Sequence, residues 1–150
     1  MIEANKALFR RWMEEVWNEG GEATIDELCS PRAVAYGLGD LDPVQRGPAD
    51  FKNFWRTLRG ALSQLHVTIE NLVAEGDRVV GRIVLEGVHT GDHLGVPRSG
   101  KKIRLGGLVE VRFENGQILE AWNSWDQLGL LRQIGALETP RADHFVKPTA

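Results

Sequence analysis

The sequence predicts an α+β domain in which an antiparallel sheet packs on amphipathic helices. Three observations predict it. Apolar residues recur at helical spacing through most of the chain up to Leu62, and from Leu65 the pattern changes to that of strands. The strands come in pairs joined by Glu75-Gly-Asp77 and Glu114-Asn-Gly116, both short hairpin connections. Neither βαβ alternation nor a Gly-x-Gly-x-x-Gly fingerprint is present, and helices followed by consecutive strands is the α+β order.

Taken in order, residues 3–18 form an amphipathic helix. Leu8, Phe9, Trp12, Val16 and Trp17 lie at helical spacing, with Arg10, Arg11, Glu14 and Glu15 opposite. Trp12 and Trp17 thus read as core. Gly20-Gly21 stops this helix. Thr24-Ile-Asp-Glu27 has the form of a capping box and starts a short helix that Pro31 ends. Residues 33–36 make a short strand and 37–47 an exposed loop. Pro48 is a first-turn proline, and Phe51, Phe54, Trp55, Leu58 and Leu62 mark a third helix. Strands follow over 67–74, 78–89, 103–113 and 117–125, with a loop at 90–102. Residues 128–137 turn into a short helix. One domain is expected over residues 1–137 and a tail over 138–150, which has two prolines and few apolar groups.

A chain of 150 residues can bury roughly 68–70% of its unfolded surface and needs no disulfide or metal for stability. Eighteen Lys and Arg against 21 Asp and Glu leave a net charge of −3. A nucleic-acid or anionic-membrane surface would be more basic, so neither partner is expected. The lone cysteine, Cys29, cannot form an internal disulfide and suits a reducing cytoplasm. No apolar run approaches membrane-spanning length, and MIEANKALFRRW lacks the apolar core of a signal peptide. The expectation is a cytoplasmic protein.

Strand parity locates the ionisable groups. With Arg82 and Glu86 outward, Val79, Ile83, Leu85 and His89 point to the core. The next strand turns Ile103, Leu105, Val109, Val111 and Phe113 inward and Arg104, Glu110 and Arg112 outward. His89 therefore ends a strand on its apolar side. Two motif matches carry little. Gly95-Val-Pro-Arg-Ser-Gly-Lys101 resembles a phosphate loop, but Lys102 stands where Ser or Thr is needed and a strand follows instead of a helix. His89 and His93 are four apart, yet Gly91 and a strand end intervene and only Asp92 could add a ligand, so no metal is expected. Cys29 reads as a buried structural thiol, and His66 and His144 as surface or edge residues.

The strongest constellation is Glu120-Ala-Trp-Asn-Ser-Trp-Asp126, followed by Gln-Leu-Gly-Leu-Leu. A carboxyl next to indoles at a strand end would lose water and rise in pKa, as a general acid/base near neutrality requires. An Asp before an apolar segment is equally a helix N-cap. Physics alone leaves the two readings open. Trp122, Ser124 and Asp126 also share parity with Glu120, so either Glu120 faces the cavity too or a bulge shifts the register.

At these residues the chain resembles the SnoaL-like polyketide cyclases, or ester cyclases, of the nuclear transport factor 2-like superfamily. The resemblance spans about residues 5 to 137. It is densest at 71–79, at Gly87-Val-His-Thr-Gly-Asp-His-Leu-Gly-Val-Pro97, and from Arg112 through Trp125-Asp-Gln-Leu-Gly-Leu-Leu-Arg-Gln-Ile-Gly135. It implies a cone-shaped α+β barrel: a curved antiparallel sheet closed on one side by the N-terminal helices around an apolar pocket. It further implies cofactor-independent intramolecular aldol chemistry, with Asp126 as acid/base and His89 as a hydrogen-bonding partner. Trp55, Trp122 and Trp125 would be pocket walls, together with the inward-facing Val109. Where many relatives carry a His in the first strand this chain has Tyr36, which offers a phenolic donor. Ala121-Trp122 stands where many have His-Trp.

The expected function is thus that of a lyase or isomerase acting on a hydrophobic carbonyl compound, with a homodimer formed through the outer sheet face. Other readings on the same fold are a ketosteroid-isomerase-like enzyme and an epoxide hydrolase. The latter would use Asp126 and Arg82, but its second carboxylate falls at Val84. A non-catalytic small-molecule-binding protein is a further reading.

Overall fold

The computed structural model describes residues 1–38 and 44–138. The expected tail from 139 onward, and positions 39–43 of the expected loop, lie outside the described residues.

The first helix, α1 (Ile2–Arg11), continues without a break into a π-helical segment, Trp12–Asn18. The wider π turn puts Trp12, Met13, Val16 and Trp17 all on the buried side. Helix α2 (Glu22–Leu28) starts earlier than its predicted capping box. Gly21 is its N-cap, and Thr24 lies inside the helix. The Thr24 hydroxyl donates instead to Glu15 Oε2 at 2.6 Å, tying α2 to the π segment.

Strand β1 (Cys29–Tyr36) runs through Pro31. Its pairing shifts register between Cys29 and Val34, so the residue without an N–H falls in the irregular stretch. Strand β2 (Val44–Arg46) lies in the expected loop and pairs antiparallel with β1. Three residues are too few to show an alternation in sequence. Helix α3 (Gly47–Ala61) has Pro48 in its first turn, as predicted. Leu62 does not extend α3 but begins β3 (Leu62–Glu75), across an irregularity in which Gln64 takes a φ of 52°. Strands β4 (Arg78–His89), β5 (Lys102–Glu114) and β6 (Gln117–Trp125) follow, then α4 (Gln127–Gln133).

The β5–β6 turn places both Asn115 and Gly116 at positive φ, 50° and 75°, the demand that makes Asn-Gly a hairpin signal. The sheet order is β2-β1-β6-β5-β4-β3. Every pair is antiparallel except β1–β6, which is parallel. The sheet is therefore mixed and open at β2 and β3, not wholly antiparallel as predicted from the consecutive hairpins.

Parity in the central strands agrees with the sequence. Val79, Ile83, Leu85, Ile103, Val109 and Val111 are buried against Phe9, Val16 and Ile25 of the helices. The outer face carries ion pairs, among them Arg112 Nε to Glu120 at 2.9 Å and Arg78 to Glu110 at 3.2 Å.

Candidate functional site

Between the helices and the inner sheet face lies a cavity of about 300 Å³, at the lower end of the range for small-molecule sites. The π segment contributes Trp12, Met13 and Trp17, and α3 contributes Phe51, Phe54 and Leu58. Leu85, Leu105, Val109 and Val111 form the sheet wall, and Leu130 and Leu131 of α4 add to the lining. Against this apolar lining stand three carboxamides, Gln45, Asn123 and Gln127, and the thiol of Cys29. Burial pushes that thiol up to about 11, with a smaller push from Asp26.

Strand β6 decides what enters the cavity. Arg112 pairs with Glu120 and Phe113 with Ile118, so Leu119 is the extra residue of a bulge. Beyond it, Ala121, Asn123 and Trp125 line the cavity. Glu120, Trp122 and Ser124 take the opposite face. The Glu120 carboxyl is held below the usual range by its hydrogen bond from Arg112.

The expected site residues accordingly separate. Val109 and Trp125 line the cavity. Trp122 does not: parity turns it outward, where it stacks on Tyr36 (centroids 5.6 Å, planes 15° apart) and lies under the Arg78 guanidinium. Tyr36, paired with Trp122 across the parallel ladder, is exposed, and Trp122 beneath it is half-buried. Trp55 is buried, but its indole N–H donates to Val16 O at 3.0 Å, while Arg59 donates to Trp17 O at 2.7 Å. These two α3 side chains satisfy carbonyls left open at the end of the π segment, which holds Trp55 away from the cavity.

Asp126 follows Trp125 and precedes Gln127, both cavity residues, but its own side chain is exposed and caps α4: Oδ1 accepts the Gly129 N–H at 2.9 Å. His89 is fully buried on the inner side, behind the lining residues and not among them. Its Nδ1 accepts the Ser99 N–H at 3.1 Å and lies 2.9 Å from Ser99 Oγ. An accepting Nδ1 places the ring proton on Nε2, and Nε2 has no partner among the described residues. Arg82, the cation of the epoxide-hydrolase reading, is on the outer face, 3.9 Å from Glu70.

Sequence reasoning leaves open whether Glu120 or Asn123 faces the cavity, misses Gln127, and reads Trp12 and Trp17 only as core. Counting back two from Trp125 finds Asn123; the two helical indoles border the cavity because it opens within the core itself. Among the described residues no three His, Cys, Asp or Glu side chains converge as metal ligands, and no helix is long and apolar enough to cross a membrane.

Comparison with known proteins agrees with this architecture. The model of the SnoaL-like polyketide cyclase family matches residues 7–134. The aklanonic acid methyl ester cyclase DnrD of Streptomyces peucetius is 27% identical over 126 residues, spanning 83% of this chain and 87% of that protein. The aklanonic acid methyl ester cyclase DauD of Streptomyces sp. strain C5 is 27% identical over 126 residues, 83% of this chain and 78% of DauD. Among solved structures, TsrD from Streptomyces laurentii superposes with a TM-score of 0.79 at 29% identity, covering 90% of this chain and 97% of TsrD. The family model covers most of the chain and the fold superposes on a solved structure along nearly its whole length, so the chain belongs to the SnoaL-like polyketide cyclase family.

Proposed function

We propose that the chain is a cofactor-independent polyketide cyclase that closes a ring by intramolecular aldol condensation. The observation that carries this reading is the aromatic-lined apolar cavity of a cyclase-family fold, with Asp126 set between two of its lining residues, Trp125 and Gln127. Asp126 removes a proton α to a carbonyl of a hydrophobic substrate. The resulting enolate attacks a second carbonyl of the same molecule, and the new alkoxide takes the proton back from the Asp126 carboxyl, which restores the carboxylate. The buried His89 Nε2–H is a donor for the developing oxyanion once substrate or side-chain movement opens the cavity toward it. Trp125 and Val109 hold the apolar body of the substrate, and Tyr36 and Trp122 support β6 from the outer face.

The test is Asp126→Asn, because Asn is also a good N-cap and leaves α4 intact. The substrate assayed is aklanonic acid methyl ester, after which the relatives are named. Turnover should fall by about 10²–10⁴-fold; unchanged turnover removes Asp126 from the chemistry. A second reading, non-catalytic ligand binding, draws on the absence of any carboxylate, His, Lys or Arg among the described cavity-lining residues. Binding of that ester without conversion selects that reading.

A homodimer through the outer sheet face belongs to the same proposal, supported by the exposed Leu108 on that face. Sedimentation as a monomer at micromolar concentration contradicts it. The cytoplasm is the proposed location, and the free buried Cys29 supports a reducing one.

A further inference from the structure

We propose that Asn123 orients the ligand by accepting, at Oδ1, a hydrogen bond from a phenolic or enolic hydroxyl. This rests on reading the cavity as the ligand site, and names the group through which it discriminates. The side chain stands on the inner face of β6 between Ala121 and Trp125 and opposite Val109, all three cavity-lining.

Its amide orientation is fixed. Nδ2 donates to the Tyr36 carbonyl at 2.9 Å, and a carbonyl can only accept, so the oxygen cannot occupy that position. The two limbs of a carboxamide diverge. With nitrogen drawn toward β1, Oδ1 is turned away from β1, and among the described residues no donor meets it. The backbone beside it leaves little room for adjustment. A Cβ built on Gly37 would lie 2.0 Å from the Asn123 carbonyl oxygen, and Gly37 takes a φ of 78°. Glycine thus permits the end of β1 to press against Asn123 and hold it.

An acceptor fixed in an apolar wall favours a ligand that brings a donor, since one lacking it leaves the oxygen unpaired and dry. The class is therefore a neutral aromatic or enolised compound with a free hydroxyl near the ring face set against Trp125. An alkyl ether at that place is disfavoured.

The experiment measures the affinities of naphthol and methoxynaphthalene, by fluorescence or calorimetry, for the wild-type chain and for Asn123→Leu. The ratio of naphthol to methoxynaphthalene affinity should fall about three- to ten-fold in the variant, the loss of one neutral hydrogen bond. Should Asn123→Leu not fold, Asn123→Ala carries the same expectation with less bulk. An unchanged ratio, with both probes still bound, overturns the role of Asn123 and leaves the cavity as the ligand site. If neither probe binds the wild-type chain at millimolar concentration, the ligand-site reading fails and this proposal with it.

Discussion

The Asp126 carboxylate accepts the Gly129 N–H at 2.9 Å, so the acid that directly follows β6 is at once the N-cap of α4. The two roles make different demands on the side chain. Capping needs only an accepting oxygen, whereas proton transfer needs a titratable one. Asp126→Ala should cost about 1 kcal/mol of stability and Asp126→Asn only a few tenths, read from urea denaturation midpoints. Equal losses in the two variants would show that charge, and not the cap, is what the position requires.

Gly37 should be irreplaceable. Its φ of 78° and the 2.0 Å approach to the Asn123 carbonyl combine a backbone penalty with a clash that only main-chain movement relieves. Gly37→Ala is expected to lose more than about 2 kcal/mol and to weaken probe binding. A loss within a few tenths would mean that β1 gives way easily there.

Ala121 is half-buried and lines the cavity beside Asn123. Ala121→Leu adds apolar volume where space exists. Stability should hold or rise by up to about 1 kcal/mol, while affinity for naphthalene-sized probes drops at least ten-fold. Retained affinity would place the ligand elsewhere.

Acid should loosen the helical layer. Arg11 donates to Glu15 at 2.8 Å and to both oxygens of Glu27 at 2.7 Å. These bonds, joined at Glu15 by that from Thr24, hold both carboxyls below the usual range. A carboxyl lowered in the folded state stabilises above its unfolded value and loses that contribution as pH falls through the folded one. Stability is therefore expected to decline on acidification below the ordinary Glu value of 4.5, more steeply than in Arg11→Met. Parallel stability-versus-pH curves would remove the Arg11 network as a cause.

The Cys29 thiol, buried and raised to about 11, should resist alkylation in the folded protein at mildly alkaline pH, because thiolate is the reactive form. One equivalent should react in denaturant. Rapid reaction without denaturant would show that the cavity admits reagent to its wall.

In β4 and β5 every Lys, Arg and Glu falls on one parity, so a single outward Arg fixes the direction of its neighbours. In β6 the apolar residues occur on both faces. Two tryptophans three apart cannot both point inward along a strand, and the aromatic pair was read as a unit although only Trp125 lines the cavity. The Glu120–Arg112 pair outside was the better guide to parity there. Thr24 had the spacing of a cap but is engaged by Glu15, a partner from another helix that local spacing cannot reveal. The π segment has no distinctive composition, since its wider turn is sustained by packing and by Trp55 and Arg59 on its terminal carbonyls. The pairing of Asp126 with a helix start was legible; which of its two roles prevails was not, because both use the same oxygen.

The parallel ladder between β1 and β6 sets an order of assembly. Cys29 meets Ile118, so until β6 exists β1 has only the three-residue β2 for a neighbour. The hairpins β3–β4 and β5–β6 close over short turns, but joining β1 to β6 closes the longest loop in the sheet, a step with a high entropic cost. During synthesis the wall carrying Asn123, Trp125 and α4 also leaves the ribosome last. A chain stalled before residue 117 would hold its helices beside β3–β5 with the future cavity standing open as a wet apolar trough, a natural place for a chaperone to bind.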